Sequence, residues 1–151
     1  MATYTPRLSE PSTSDLNWIH YSLGGYNYCI IGSNGGNSVL PNCTGYCWGR
    51  WRELLGEYHN LSRGNAEKWY LYTEDGYERG QTPKLGAVIC WSVATIDDGT
   101  DGAGHVAIVE KINDDGSIVI SQSGWESSRF WTQTLNSSYS YGSSYKFQGF
   151  I

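Results

Sequence analysis

The sequence predicts an α+β domain, with helices first and a mostly antiparallel sheet after them. Three observations predict it. Apolar residues fall at helical spacing in the stretch after Cys43. Beyond Gly80 the pattern changes to short apolar runs separated by Gly, Asp and Asn. The 151 residues include 19 Gly, only one Met and 17% charged residues, which argues against a helical bundle or coiled coil. The length is one domain's worth of chain, and 39% hydrophobic residues exclude wholesale disorder. A net charge of −5 and no Lys/Arg cluster exclude a nucleic-acid partner. The longest apolar runs are far too short for a membrane span.

Residues 1–16 are rich in Ser, Thr and Pro and read as an irregular arm, with the globular domain over 17–151. The first ten residues hold no apolar stretch, so no secretory signal is expected. Residues 17–42 mix aromatic residues with turn signals and predict loops and short extended pieces. A helix is expected from Thr44 to about Tyr58, with Cys47, Trp51, Leu54, Leu55 and Tyr58 on its apolar face. Asn42 or Thr44 is its expected N-cap. A shorter helix is expected over Ala66–Tyr72, capped by Asn65. Strands follow at Gly86–Ser92, His105–Ile112, Ser117–Ser123, Arg129–Thr134 and Tyr145–Phe150. Asn113-Asp114-Asp115-Gly116 marks a hairpin turn between the second and third strands.

Cys43 carries the first chemical signal. Before a helix, unpaired backbone N–H groups and the helix dipole favour negative charge. A thiol there is expected to ionise at neutral pH and act as a nucleophile, and the same amides can hold an oxyanion. His105 opens a strand and is the natural base for a thiol. A turn centred between Asp114 and Asp115 sets Ala107 opposite Gln122 and puts His105 and Gln122 on one face. Gln122 can then accept a hydrogen bond from the imidazole; a slip of one residue would move it to the other face. The other cysteines, Cys29, Cys47 and Cys90, read as small buried hydrophobes. No CxxC pair is present, which speaks against a zinc site. His20 and His59 sit in a polar arm and at a helix end, and have weaker claims to function.

Together these pieces resemble the CHAP family, the cysteine, histidine-dependent amidohydrolases/peptidases. Asn42-Cys43-Thr44-Gly45-Tyr46-Cys47-Trp48-Gly49-Arg50 is similar to the nucleophile motif, and Pro83 to Trp91 to the first core strand. Gly104-His105-Val106-Ala107-Ile108-Val109-Glu110 is similar to the histidine strand, and Ser121-Gln122-Ser123-Gly124-Trp125 to the strand with the third polar residue. The likeness extends over nearly the whole chain. It implies a papain-like fold and cleavage of an amide bond in bacterial peptidoglycan, as a muramoyl-alanine amidase or a stem or cross-bridge endopeptidase. Cys43 would be the nucleophile, His105 the base and then the acid, and Gln122 the orienting member. The family more often places Asn, Asp or Glu there. Asn42, Trp91 and Trp125 would lie by the substrate, Asn42 as a helper at the oxyanion.

The resemblance implies no cofactor. Some members bind calcium through an acidic loop before the nucleophile, but Ile31–Asn42 contains no Asp or Glu. Asp97-Asp98-Gly99-Thr100-Asp101-Gly102 lacks the spacing and terminal Glu of a calcium loop and reads as a solvated turn. Peptidoglycan is the expected partner, with a wall-binding module elsewhere in a longer parent. The expected setting is a phage lysin made in the host cytoplasm and released to the wall. The alternative is a non-catalytic wall- or carbohydrate-binding module, suggested by 12 Tyr and 7 Trp; such a module has no use for a thiol.

Overall fold

A computed structural model describes residues 3–12, 15, 17–18, 43–62, 64–93, 104–124 and 130–151. Helix α1 spans Cys43–Leu55 and α2 spans Ala66–Trp69, followed by a 3-10 turn at Thr73–Asp75. The strands are β1 (Val88–Val93), β2 (His105–Ile112), β3 (Ile118–Ser123), β4 (Phe130–Leu135) and β5 (Tyr145–Phe150). They form one antiparallel sheet in the order β4-β3-β2-β1-β5. The α+β class and the element order match the sequence reading.

The helices differ from it in their ends and in the face they bury. Cys43 is the first helical residue, so Thr44 lies inside α1 and is not its cap. The helix ends at Leu55, with the Gly56 N–H bonded to the Arg52 carbonyl. Its first two turns are buried on all sides, whereas Leu55 and Tyr58, expected on the apolar face, are exposed. The sheet covers only the N-terminal half of α1, which contacts β2 and β3. The expected second helix is likewise cut short at Trp69, and the chain tightens into the 3-10 turn.

The sheet is covered on both faces. On one, Val88, Cys90, Val106 and Ile108 pack under Tyr46, Cys47, Trp48 and Trp69 of the helices. On the other, Ile89, Trp91, Ala107, Val109, Ile118 and Ile120 pack under Tyr139, Tyr141, Tyr145 and Phe147. The strand order explains the second cover. β4 and β5 are the two edges, so residues 136–144 must cross the sheet to join them. Each aliphatic side chain so buried contributes about 1.5–3 kcal/mol.

Hydrophobic burial also takes in an ion-pair network. Arg50 of α1 and Glu110 of β2 are both buried and bonded through two contacts, Nε to Oε2 at 3.0 Å and Nη2 to Oε1 at 2.9 Å. Ser121 Oγ donates to Glu110 at 2.6 Å, and so does Tyr4 Oη. The arm is thereby docked on α1 and β2, and Arg7 adds a fork to Glu53. Removing one partner of such a network strands a buried charge.

The hairpin after β2 is not the two-residue turn assumed from the sequence. Gly116 N–H bonds the Asn113 carbonyl and Asn113 N–H bonds the Ser117 carbonyl, enclosing a three-residue loop. Gly116 closes it at φ 89°, a conformation suited to glycine. Ile112 therefore faces Ile118 and Lys111 faces Val119. Carried down the strand, that register would place Gln122 opposite Ile108, on the helix-covered face. A β-bulge at Glu110 shifts it by one residue, so Val109 faces Ile120 and Ile108 faces Ser121. Gln122 thus falls on the face of His105.

Candidate active site

His105 begins β2, directly after Gly104. Gly104 has φ 90°, and a Cβ there would lie 2.5 Å from the Trp91 carbonyl and 2.9 Å from the Glu67 amide nitrogen. Only glycine lets the chain enter β2 this close to β1 and α2. His105 then pairs with Trp91 across the strands and is 6% exposed.

Its Nε2–H donates to Gln122 Oε1 at 2.7 Å. An amide oxygen only accepts, so the neutral imidazole carries its proton on Nε2 and leaves Nδ1 unprotonated. Gln122 is fully buried. Its Oε1 also accepts from the Tyr141 hydroxyl at 2.8 Å, and its Nε2 donates to Gln133 Oε1 at 3.0 Å. The Tyr141 ring stacks on the imidazole with centroids 4.4 Å apart and planes at 22°. Trp91 lies 5.7 Å away at 25°, and Tyr145 meets the imidazole edge-on. Burial in this aromatic setting lowers the His105 pKa to about 4, opposed by the Gln122 hydrogen bond. His105 is therefore neutral at pH 7.

Cys43 approaches β2 from the helix side. Its sulfur meets the backbone N–H of Val106, the residue after His105, and the amides of Cys43 and Thr44 at the helix start. Each of these contacts favours the thiolate. Burial outweighs them, and the thiol pKa is raised. The expectation of a thiolate at neutral pH is corrected accordingly. The helix-start amides are in place, but desolvation of the partly buried thiol outweighs them. Cys43, Cys47 and Cys90 are all free thiols, and burial pushes Cys90 up as well.

Trp91 needs a second correction. The resemblance puts it beside the substrate, yet it is fully buried and its indole N–H donates to the Tyr139 carbonyl at 2.9 Å. It forms the wall behind His105, because β1 is an inner strand with both faces covered. Asn42, Trp125, Cys29, His20 and the Asp97–Gly102 loop lie outside the described residues. His59 is structural: Nε2 donates to the Trp48 carbonyl at 2.7 Å, and Nδ1 accepts from Leu61 N–H at 3.3 Å. Tyr141, Gln133 and the Val106 amide were absent from the sequence reading. The run of tyrosines at 139, 141 and 145 was the signal for Tyr141, and only the strand order puts it over His105.

A cavity of about 760 Å³ lies elsewhere, lined by Trp51, Leu54, Tyr77, Leu85 and Ile151 among others. It sits by the start of β1 and touches none of Cys43, His105 and Gln122. Among the described residues no three or more His, Cys, Asp or Glu side chains cluster as a metal would need. No helix among them is long and apolar enough to cross a membrane.

The CHAP domain family model matches residues 32–124, more than half of the chain. The chain belongs to the CHAP family. Its relatives include a Staphylococcus aureus protein named "Probable autolysin LDP", 32% identical over 99 residues, covering 64% of this chain and 33% of the relative. N-acetylmuramoyl-L-alanine amidase sle1 of Staphylococcus epidermidis is 36% identical over 84 residues, covering 55% of this chain and 24% of the relative. A crystal structure of an N-acetylmuramoyl-L-alanine amidase from Staphylococcus aureus superposes with a TM-score of 0.54 at 32% identity, over 72% of this chain and 30% of that one. This CHAP chain thus has the papain-like order of helices before an antiparallel sheet. It spans about a third or less of the length of these relatives.

Proposed function

We propose that this CHAP domain hydrolyses an amide bond of bacterial peptidoglycan, with Cys43 as nucleophile, His105 as base and acid, and Gln122 as the residue that orients His105. The observation that carries the reading is the His105 Nε2–H bond to Gln122 Oε1, which turns a bare Nδ1 lone pair to the work of proton transfer. Cys43 at the amide of the next residue, Val106, supplies the group to be deprotonated. Two relatives named as N-acetylmuramoyl-L-alanine amidases favour the bond between N-acetylmuramic acid and L-alanine. Cleavage within the stem or cross-bridge uses the same groups. The relatives favour a bacterial wall enzyme; a phage origin draws no support from them. Action at the wall, and a wall-binding region in a longer parent, belong to the same proposal.

The chemistry starts from a neutral pair. His105 Nδ1 takes the Cys43 proton as the sulfur attacks the scissile carbonyl carbon. The S–C bond forms, and the carbonyl π electrons move to oxygen. Backbone N–H groups at the start of α1 receive that oxyanion. The C–N bond then breaks, and the His105 imidazolium gives its proton to the leaving amine. A water molecule attacks the thioester while His105 takes its proton. The Cys43 thiolate leaves and is reprotonated by His105, which restores the resting state. The step from thiol to thiolate happens during attack, so no resting ion pair is needed.

Purified peptidoglycan digested by the wild type and by Cys43→Ala, with fragments read by mass spectrometry, tests this. The expected wild-type products are stems with free L-alanine amino ends. The variant should lose at least about 10³-fold in rate, the usual scale for a removed nucleophile. New ends inside the stem or bridge would reassign the bond. Full activity of Cys43→Ala would overturn the nucleophile.

A further inference from the structure

The segment from 136 to 144 crosses the sheet and brings Tyr141 to His105, a residue distant in sequence and in a different part of the sheet. An apolar side chain would be enough to cover the face, yet this one is only half-buried and ends in a hydroxyl aimed at Gln122. We infer that Tyr141 is a positioning residue for His105, packing its ring flat on the imidazole and donating its hydroxyl to the Gln122 oxygen that accepts His105 Nε2–H. The inference rests on the reading of Cys43 and His105 as the reacting pair.

The reason lies in the chemistry of a neutral amide. A carboxylate can accept through either oxygen, so it orients an imidazole whichever way it turns. A glutamine orients it only with its oxygen forward. Turning the Gln122 amide over would set N–H against the Nε2–H of His105. The imidazole would then have to move its proton to Nδ1, the atom the proposed reaction needs bare. Amide orientation and imidazole tautomer are therefore one linked choice. Three hydrogen bonds are made on the productive side: His105 Nε2–H and the Tyr141 hydroxyl into Oε1, and Gln122 Nε2–H into Gln133. The Tyr141 ring, 4.4 Å from the imidazole, adds a flat surface against which the histidine cannot tilt.

Two variants separate ring from hydroxyl. Tyr141→Phe keeps the stack and loses the bond. Its kcat should fall about two- to tenfold, the size of one neutral hydrogen bond, with KM little changed. Tyr141→Leu loses both, and kcat should fall about tenfold or more. The decisive readout is the tautomer of His105, read from ¹⁵N shifts of the two ring nitrogens. The wild type should show a single Nε2–H form, and both variants a gain in the Nδ1–H form. Wild-type kcat and tautomer in both variants would overturn the inference. So would a fall in melting temperature with an unchanged tautomer, which would mark Tyr141 as packing alone. Cys43→Ala, assayed alongside, keeps the two readings apart. If that variant retains activity the reacting pair is wrong, and the tautomer still decides what Tyr141 does. If it is inactive and the Tyr141 variants behave as wild type, only the inference fails.

Discussion

The two faces of the sheet are closed by different materials. One is closed by helices, with Tyr46, Cys47, Trp48 and Trp69 against aliphatic strand residues and a buried Arg50–Glu110 pair. The other is closed by an irregular crossing whose Tyr139 and Tyr141 bring rings with polar tips. The helix face fixes a position, because a thiol at the first residue of a packed helix cannot wander. The tyrosine face fixes a chemical state. It is dry enough to keep His105 neutral, yet carries enough donors and acceptors to satisfy a buried imidazole and amide. The proposed chemistry needs one contribution from each: Cys43 reaches β2 at the amide of Val106, the residue after His105.

The largest effect that would break this division is expected at Glu110, whose side chain is on the helix face while its bulge sets the register on the other. Glu110→Ala should cost up to about 3–5 kcal/mol in urea denaturation, since Arg50 loses both buried contacts to Glu110 and keeps only its pair with Glu53. It should also weaken the His105–Gln122 bond, visible as a shift of the His105 ring nitrogens. A large loss of stability with no change at His105 would show that the bulge survives without its side chain.

Gly104→Ala comes next, at about 1–3 kcal/mol, because a left-handed backbone and two close backbone neighbours oppose the added carbon. Activity should fall with it, as His105 is the next residue. Thermal melts and hydrolysis rates on the same preparation check both.

Acid gives a smaller and more selective test. His59 on the helix side and His105 on the tyrosine side both have folded pKa values lowered to about 4 by burial. The unfolded chain binds these protons near pH 6.5 and the folded chain does not. Stability is therefore fully present above 6.5 and is lost as pH falls toward 4. His59→Asn should flatten part of that loss while leaving hydrolysis intact. His105→Asn should flatten another part and abolish hydrolysis. In the wild type, kcat/KM should rise with pH through about 4 and show no step near 6.5. A step near 6.5 would mean that His105 is solvated.

Arg7→Ala should have the smallest effect, about 1 kcal/mol or less, because its fork to Glu53 is partly open to water. The melting curve should barely move. A large drop would show that the arm holds the helix layer together.

Particular elements show how far the sequence alone reaches. The limits of β2 and β5 coincide with those read from alternation and turn residues, since a strand's pattern and its flanking glycines are local. Gln122 reached the right face on a wrong argument: the assumed turn was too short, and the unforeseen bulge at Glu110 compensated. The resemblance sets Trp91 beside the substrate, and nothing local tells an inner strand from an edge strand; on the inner strand β1 it is fully buried. The Cys43 thiol was assigned a lowered pKa from its helix start alone, without the burial that outweighs it.

The sequence by itself determined the elements, their order and the residue types able to do thiol chemistry, because helix spacing, strand alternation and turn residues act within a few positions. Only the tertiary structure decided that a tyrosine crossing covers His105, that a bulge at Glu110 corrects the register, and that burial raises the thiol pKa and lowers that of the imidazole. Those outcomes depend on strand order and on burial, which are set by residues far apart in the chain.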